Sequence, residues 1–222
     1  MDEHGALGPA TPPLRDTSAV VERITARLCA RYGHAFSRQT VEEYVDDCML
    51  LLRCRSRVGM HVPVLIERFA DQRLGALAKA SGLSAKPVPE VLFVCTENAG
   101  RSQLAAALMR RRAATAVSVR SAGSAPGVGI SPIVRTLLSE QGLDVGAEFP
   151  KPITPEVVAA ADVVVTLGCG DACPVLPGRR YLNWEIPDLS GLDLESARAV
   201  RDTLAGRISD LVQELVEERS AA

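Results

Sequence analysis

No apolar run in these 222 residues approaches the roughly 18 that a membrane span needs, and no basic-then-apolar leader pattern is present. A soluble protein of the cytoplasm is expected. A dominant charge is missing too. The net charge is −2, with +2 over residues 1–88 and −4 over 89–222. Neither part would attract nucleic acid or an anionic membrane broadly. Metal-ligand spacing is absent: Cys29, Cys48, Cys54, His34 and His61 include no C-x2-C or H-x3-H pair. They are expected to be packing or surface residues, with no metal and no resident cofactor. Six cysteines in such a chain do not make a secreted disulfide framework. Core thiols and a few reactive ones are expected instead.

What is present is apolar: 47% of the residues are hydrophobic, enough for a proper core in one domain or two. Residues 1–15, with Gly5, Gly8, Pro9, Pro12 and Pro13 and no periodicity, read as a disordered tail. Three helical patterns follow over 16–83. In the first, Val20 or Val21, Ile24, Leu28 and Tyr32 recur at helical spacing until Gly33. Val41, Tyr44, Val45, Cys48, Met49 and Leu52 form the second face, opened by a Thr40-x-x-Glu43 capping box. The third starts near Pro63, runs through Leu65, Ile66, Phe69, Leu74 and Leu77, and ends at Gly82. Short connections predict a small antiparallel bundle. About 65 residues make a marginal core alone, so apolar surface such as Met49–Leu52 predicts docking or dimerisation. A helix-turn-helix reader of DNA would need a basic recognition helix, and there is none. Residues 84–89, with two prolines, read as a linker.

From residue 90 to 222 strands and helices alternate. Val91–Val94 is a short apolar strand ending at Cys95, followed by a helix over 102–114. Val117–Ser121 is the next strand, then a helix near 131–142 and a short helical turn opened by Thr154-Pro155-Glu156. Val163–Leu167 and Tyr181-Leu182 supply two more strands. A long final helix keeps Val200, Leu204, Ile208, Leu211, Val212 and Leu215 on one face. The predicted class is α/β, a parallel four-stranded sheet with helices on both faces, preceded by a small all-α domain. In such sheets ligands sit at the carboxyl ends of the strands, where Cys95, Ser121 and Gly168 all fall.

The stretch Cys95-Thr96-Glu97-Asn98-Ala99-Gly100-Arg101-Ser102 is C-x5-R-S between a strand and a helix. Successive backbone N–H groups of such a loop can curl into an anion-binding nest. The helix that follows aims its positive end at the same spot. Arg101 adds a planar fork matched to a tetrahedral oxyanion. In that field Cys95 is expected as a thiolate, a nucleophile for phosphate or a phosphate look-alike. Farther on, Cys169 and Cys173 stand at i, i+4 on a loop expected to flank the cradle. If locally helical, their Cα atoms lie about 6 Å apart, within disulfide reach. Beside a thiolate-bearing loop they suggest a redox relay. Asp188, on a loop after the last strand, could act as general acid for a departing oxygen.

The order of Cys95-x5-Arg101-Ser102, Ser121-Ala-Gly123, Val163–Leu167 with Gly168-Cys-Gly-Asp171, and Pro187-Asp188 resembles the low-molecular-weight phosphatase fold. Over roughly 89–222 it is most similar to the arsenate reductases of that fold. The whole chain looks like actinobacterial members, whose N-terminal three-helix segment serves dimerisation. The resemblance implies arsenic resistance chemistry. Cys95 attacks arsenate, residues 96–101 cradle the oxyanion, with phosphate or sulfate as mimics, and Ser102 stabilises the thiolate. Asp188 protonates the leaving oxygen, and Asn98 and Ser121 brace the loop. Cys169 would then attack the Cys95–arsenic adduct and Cys173 would attack Cys169, leaving Cys169–Cys173 for thioredoxin. Other members let mycothiol, with mycoredoxin, take the arsenic instead. The chain departs from the family in the four-residue relay spacing, in Leu189 after the acid, and in lacking a second cysteine in the loop.

A phosphotyrosine phosphatase of the same fold is the alternative. It would place aromatic residues beside the acid, where this chain has Leu189, Ser190 and Gly191, and it would leave Cys169 and Cys173 without work. A non-enzymatic arsenic- or redox-responsive regulator would have to bind DNA, which the charge disfavours.

Overall fold

The strand that leads to Cys95 runs through the middle of the sheet. β1 (Glu90–Cys95) is buried along its whole length. It pairs in parallel with β2 (Ser118–Gly123) on one side and β3 (Val163–Thr166) on the other, and β4 (Arg180–Asn183) extends the sheet in parallel beyond β3. The strand order is therefore β2-β1-β3-β4. This computed structural model describes residues 17–53, 62–143, 146, 148–168 and 175–221. Its helices are α1 (Thr17–Tyr32), α2 (Arg38–Arg53), α3 (Val62–Ala80), α4 (Arg101–Ala113), α5 (Pro132–Glu140), α6 (Pro155–Ala160) and α7 (Leu194–Ala221).

Side chains alternate across a strand, and the two faces of β1 enter different cores. Val91, Phe93 and Cys95 pack with Leu104 and Met109 of α4, Leu137 and Leu138 of α5, and the Leu204–Ile208 stripe of α7. Leu92 and Val94 face the other way, with Val157 and Val158 of α6 and Ala76 of α3. The expected α/β sandwich is thus present, but its second face is closed partly by a helix from the N-terminal segment.

Helix α3 belongs to two cores at once. Ile66, Phe69 and Leu74 join Ile24 and Leu28 of α1 and Val41, Val45 and Cys48 of α2 in a separate helical core. On its other side α3 is tied to the sheet by charge. Glu90, fully buried at the start of β1, accepts from Lys79 of α3 at 2.6 Å and from Arg120 of β2. Arg120 also donates to the carbonyl of Gln72 at 2.8 Å. Buried Arg73 of α3 bonds Glu156 of α6 at 2.5 Å and Asp47 of α2 at 2.5 Å. Each carboxylate buried in this way needs its partner, since a lone charge in low dielectric is costly.

Helix α2 begins earlier than the Thr40–Glu43 box implies. Ser37 is the capping residue: its Oγ accepts the N–H of Thr40 at 3.1 Å. Glu43 is engaged by the Gln39 side chain at 3.0 Å instead. A hydroxyl three residues upstream serves the same orphan amide, so the cap moved one turn. Residues 54–61, including Cys54 and His61, lie outside the described residues. Among the described residues no three metal-ligating side chains converge, and no helix is long and apolar enough to cross a membrane.

Candidate active site

Residues 96–100 bridge β1 and α4, and the peptide planes of this loop are fixed from outside. The carbonyl of Cys95 accepts the N–H of Ser124 (3.2 Å), that of Thr96 the N–H of Ala125 (2.8 Å), that of Glu97 the N–H of Gly127 (2.8 Å), and that of Ala99 the N–H of Ser131 (2.9 Å). In a trans peptide the N–H points opposite the carbonyl of the preceding residue. Holding four carbonyls outward therefore turns the amides of 96, 97, 98 and 100 inward. One of them is seen doing so: the N–H of Asn98 donates to Cys95 Sγ at 3.2 Å. Helix α4 starts at Arg101 behind Gly100, with no side-chain cap and no acidic residue in its first turn. Its free amides and dipole are left for an anion.

The sulfur of Cys95 sits at the floor of this cup, 2.9 Å from Ser102 Oγ. Ser102 Oγ in turn accepts Asn98 Nδ2 at 2.9 Å, so its own proton is free to point at the sulfur. A thiolate here would accept from both a hydroxyl and a backbone amide. Cys48 is the contrast. Burial in the helical core pushes its thiol up to about 12, and it is an inert packing residue.

The cup opens into a cleft of about 240 Å³ lined by Cys95, Thr96, Glu97, Gly100, Arg101 and Asp188, among others. Arg101 spans its wall, donating to the carbonyl of Ile186 at 3.2 Å and to Asp188 Oδ2 at 2.9 Å. Gly168 makes room for the guanidinium: a Cβ there would lie 2.6 Å from Nη1, and its φ of +73° suits glycine. Asp188 also accepts the N–H of Ser190 at 2.8 Å. That bond, assisted by the Arg101 charge, holds the carboxyl below its ordinary range. A larger hollow of about 450 Å³ lies at the amino-terminal end of the strands, beside Lys86, Asp162 and Arg219, with no cysteine, serine or threonine in its wall.

Cys95, Asn98, Arg101, Ser102 and Asp188 are thus brought together. Cys169 and Cys173 lie outside the described residues. Ser121 behaves differently from its expected bracing role. It pairs with Phe93 in register and faces the α4 side, and its buried hydroxyl has no hydrogen-bond partner among the described residues. The loop is braced through Asn98 instead. Asn98 Oδ1 accepts the N–H of Lys151 at 2.8 Å and Gln103 Nε2 at 3.1 Å. Gln103 stands one residue beyond Ser102 and was open to notice. Lys151 carries no sequence signal, because it reaches the loop only through tertiary contact.

A sulfur nucleophile position ringed by amides and a guanidinium, on the strand–loop–helix of a parallel sheet, defines an oxyanion-handling cysteine protein. Comparison with known proteins narrows the class. Residues 90–221 match the family described as low molecular weight phosphotyrosine protein phosphatase, and residues 21–78 match the protein-tyrosine-phosphatase-like N-terminal domain. The chain belongs to the low molecular weight phosphotyrosine protein phosphatase family. It is similar to a solved thioredoxin-dependent arsenate reductase of Corynebacterium glutamicum, at 42% identity and a TM-score of 0.81, covering 89% of this chain and 97% of that one. A putative arsenate reductase of Halobacterium salinarum is 28% identical, over 60% of this chain and 96% of its own length. An arginine phosphatase of Geobacillus stearothermophilus is 27% identical with a TM-score of 0.53, over 60% of this chain and 96% of its own.

Proposed function

We propose that this chain reduces arsenate to arsenite with electrons from thioredoxin. The cup alone fits phosphate and arsenate equally. The observation that carries the reading is the likeness to the Corynebacterium glutamicum reductase along nearly the whole chain, helices included. Arsenate enters the cup, Arg101 leaves Asp188 for the oxyanion, and the amides of 96–101 take the remaining oxygens. The Cys95 thiolate attacks arsenic and an oxygen departs with a proton from Asp188. Ionised Asp188 gains that proton when the bound anion's negative charge replaces Arg101 beside it.

Cys169, as thiolate, then attacks the Cys95 sulfur. The electron pair of the sulfur–arsenic bond stays on arsenic, which leaves as arsenite, and Cys95–Cys169 forms. Cys173 attacks Cys169, freeing the Cys95 thiolate, and a thioredoxin dithiol reduces Cys169–Cys173 while becoming a disulfide itself. Such a relay needs a reducing compartment, which supports a cytoplasmic location. Residues 16–83 would also carry self-association, with Leu50 standing 61% exposed on α2 as the core of a contact with a second copy.

The test is arsenate-dependent NADPH oxidation with thioredoxin and thioredoxin reductase, run beside mycothiol with mycoredoxin. Turnover with thioredoxin is expected, abolished in Cys95→Ser and strongly impaired in Cys169→Ser and Cys173→Ser. Full thioredoxin-coupled activity of Cys173→Ser would remove the relay. Hydrolysis of p-nitrophenyl phosphate without arsenate turnover would establish a phosphatase instead.

A further inference from the structure

A short stretch, residues 148–151, links the N-terminal helices to the oxyanion loop. Asn98 holds a left-handed conformation (φ +50°), which asparagine tolerates better than most non-glycine residues. Its side chain is held by a small ring of hydrogen bonds. The N–H of Lys151 donates to Asn98 Oδ1, and Gln103 Nε2 donates both to that oxygen and to the carbonyl of Phe149, at 3.1 Å each. Asn98 then sets both partners of the sulfur: its N–H donates to Cys95 Sγ, and its Nδ2 donates to Ser102 Oγ.

Two things hold the stretch itself. On the sheet side, Gly123 donates to the carbonyl of Lys151 at 2.8 Å and accepts from Ile153 at 3.0 Å. On the helical side, the Phe149 ring is buried in the core formed by α1, α2 and α3, edge-on to Phe69 at 6.3 Å. The Lys151 ammonium lies over that same ring at 4.8 Å and bonds Glu148 at 2.7 Å. The sheet-side hold is part of the α/β unit. The helical-side hold exists only because the N-terminal helices are there.

We propose that the helices position the oxyanion loop, and that Phe149 is the positioning residue through which they act. This rests on the reading of Cys95 as the thiolate at the floor of the cup. Phe149 touches neither sulfur nor oxyanion. Its ring fixes the backbone of 149–151, that backbone fixes Asn98, and Asn98 fixes Cys95 and Ser102. An ångström of slack at the ring would reach the sulfur through hydrogen bonds that fall off steeply with distance and angle.

The test follows Cys95 itself, independently of arsenate turnover. Alkylation of full-length protein by iodoacetamide is measured on the Cys95 peptide by mass spectrometry, with and without inorganic phosphate. Phe149→Ala is expected to slow Cys95 alkylation and weaken phosphate protection by about tenfold each, and Phe149→Leu to restore most of both. Ile24→Ala, which thins the same helical core from α1, should lower the urea midpoint while leaving both readouts near wild type. Equal losses in Ile24→Ala and Phe149→Ala would overturn the proposal, as would a folded Phe149→Ala with unchanged readouts. If Phe149→Ala does not fold, Phe69→Leu replaces it: a weaker shift in the same direction supports the proposal and none refutes it. Wild-type Cys95 that phosphate fails to protect would sink the oxyanion-loop reading first.

Discussion

Arg101 and Asp188 face each other at 2.9 Å across the cleft above Cys95. The pair closes the cup over its own anion site, so an incoming oxyanion competes with Asp188 for the guanidinium. Exchange of one anion for another keeps Arg101 paired throughout and costs little. The same exchange deprives Asp188 of its cation and places negative charge beside it, turning a carboxylate into a group that can hold a proton. On the proposed role of Asp188 as acid, substrate binding and its arming are one event.

Asp188 is expected to titrate below the ordinary carboxylate range in the free protein, because the Ser190 N–H and Arg101 both favour the anion. A depressed folded pKa contributes stability above the unfolded value and loses it as pH falls through the folded one. With the side chain 58% exposed, that contribution is small after solvent screening. Carboxyl-resolved NMR should show the midpoint rising when phosphate or sulfate is added. A midpoint unmoved by saturating anion would contradict the exchange. Asp188→Asn should lower kcat by about 10²-fold or more.

Gly123→Ala should disable the loop while sparing the sheet. A Cβ there would lie 2.6 Å from the carbonyl oxygen of Thr96 and 2.8 Å from the amide nitrogen of Asn98, both backbone atoms that have nowhere to go. Phosphate binding by calorimetry should disappear with circular dichroism nearly unchanged. Gly142→Ala is the control. Its φ of +65° is strained for alanine but its Cβ would meet nothing, so about 1 kcal/mol of stability is lost and phosphate binding is kept.

Arg73→Met should be among the most destabilising single changes at the junction of helices and sheet. Arg73 and Glu156 are each under a tenth exposed and bonded at 2.5 Å. Removing the cation strands a buried carboxylate at a cost of roughly 3–5 kcal/mol, readable as a lowered urea midpoint. Arg73→Met with Glu156→Gln should recover part of that loss. A double variant less stable than Arg73→Met alone would show that the Glu156 charge is not the source.

The sequence by itself determined the class of this protein and the centre of its chemistry. Val91–Val94, Gly100, Arg101 and Ser102 sit within one strand, one loop and one helix turn, so the cup is a local object. Steric and dipolar rules that act over neighbouring residues are enough to read it. The amphipathic stripes of α1, α2, α3 and α7 are local in the same sense, and they locate those helices to within a few residues. The cap of α2 at Ser37, in place of Thr40, shows how far such rules reach. What only the tertiary structure decided is what holds the cup open. Ser121 looked like a brace but its buried hydroxyl bonds nothing among the described residues, while Gln103 and Lys151 hold Asn98. Helix α3 looked like part of a separate bundle and covers Leu92 and Val94 as well. Asp188 looked like a candidate acid, and its ion pair with Arg101 was not legible in the chain. Hydrogen bonds and ion pairs between residues far apart in the chain leave no spacing in the sequence, because their geometry exists only once the sheet and both of its helical layers have closed.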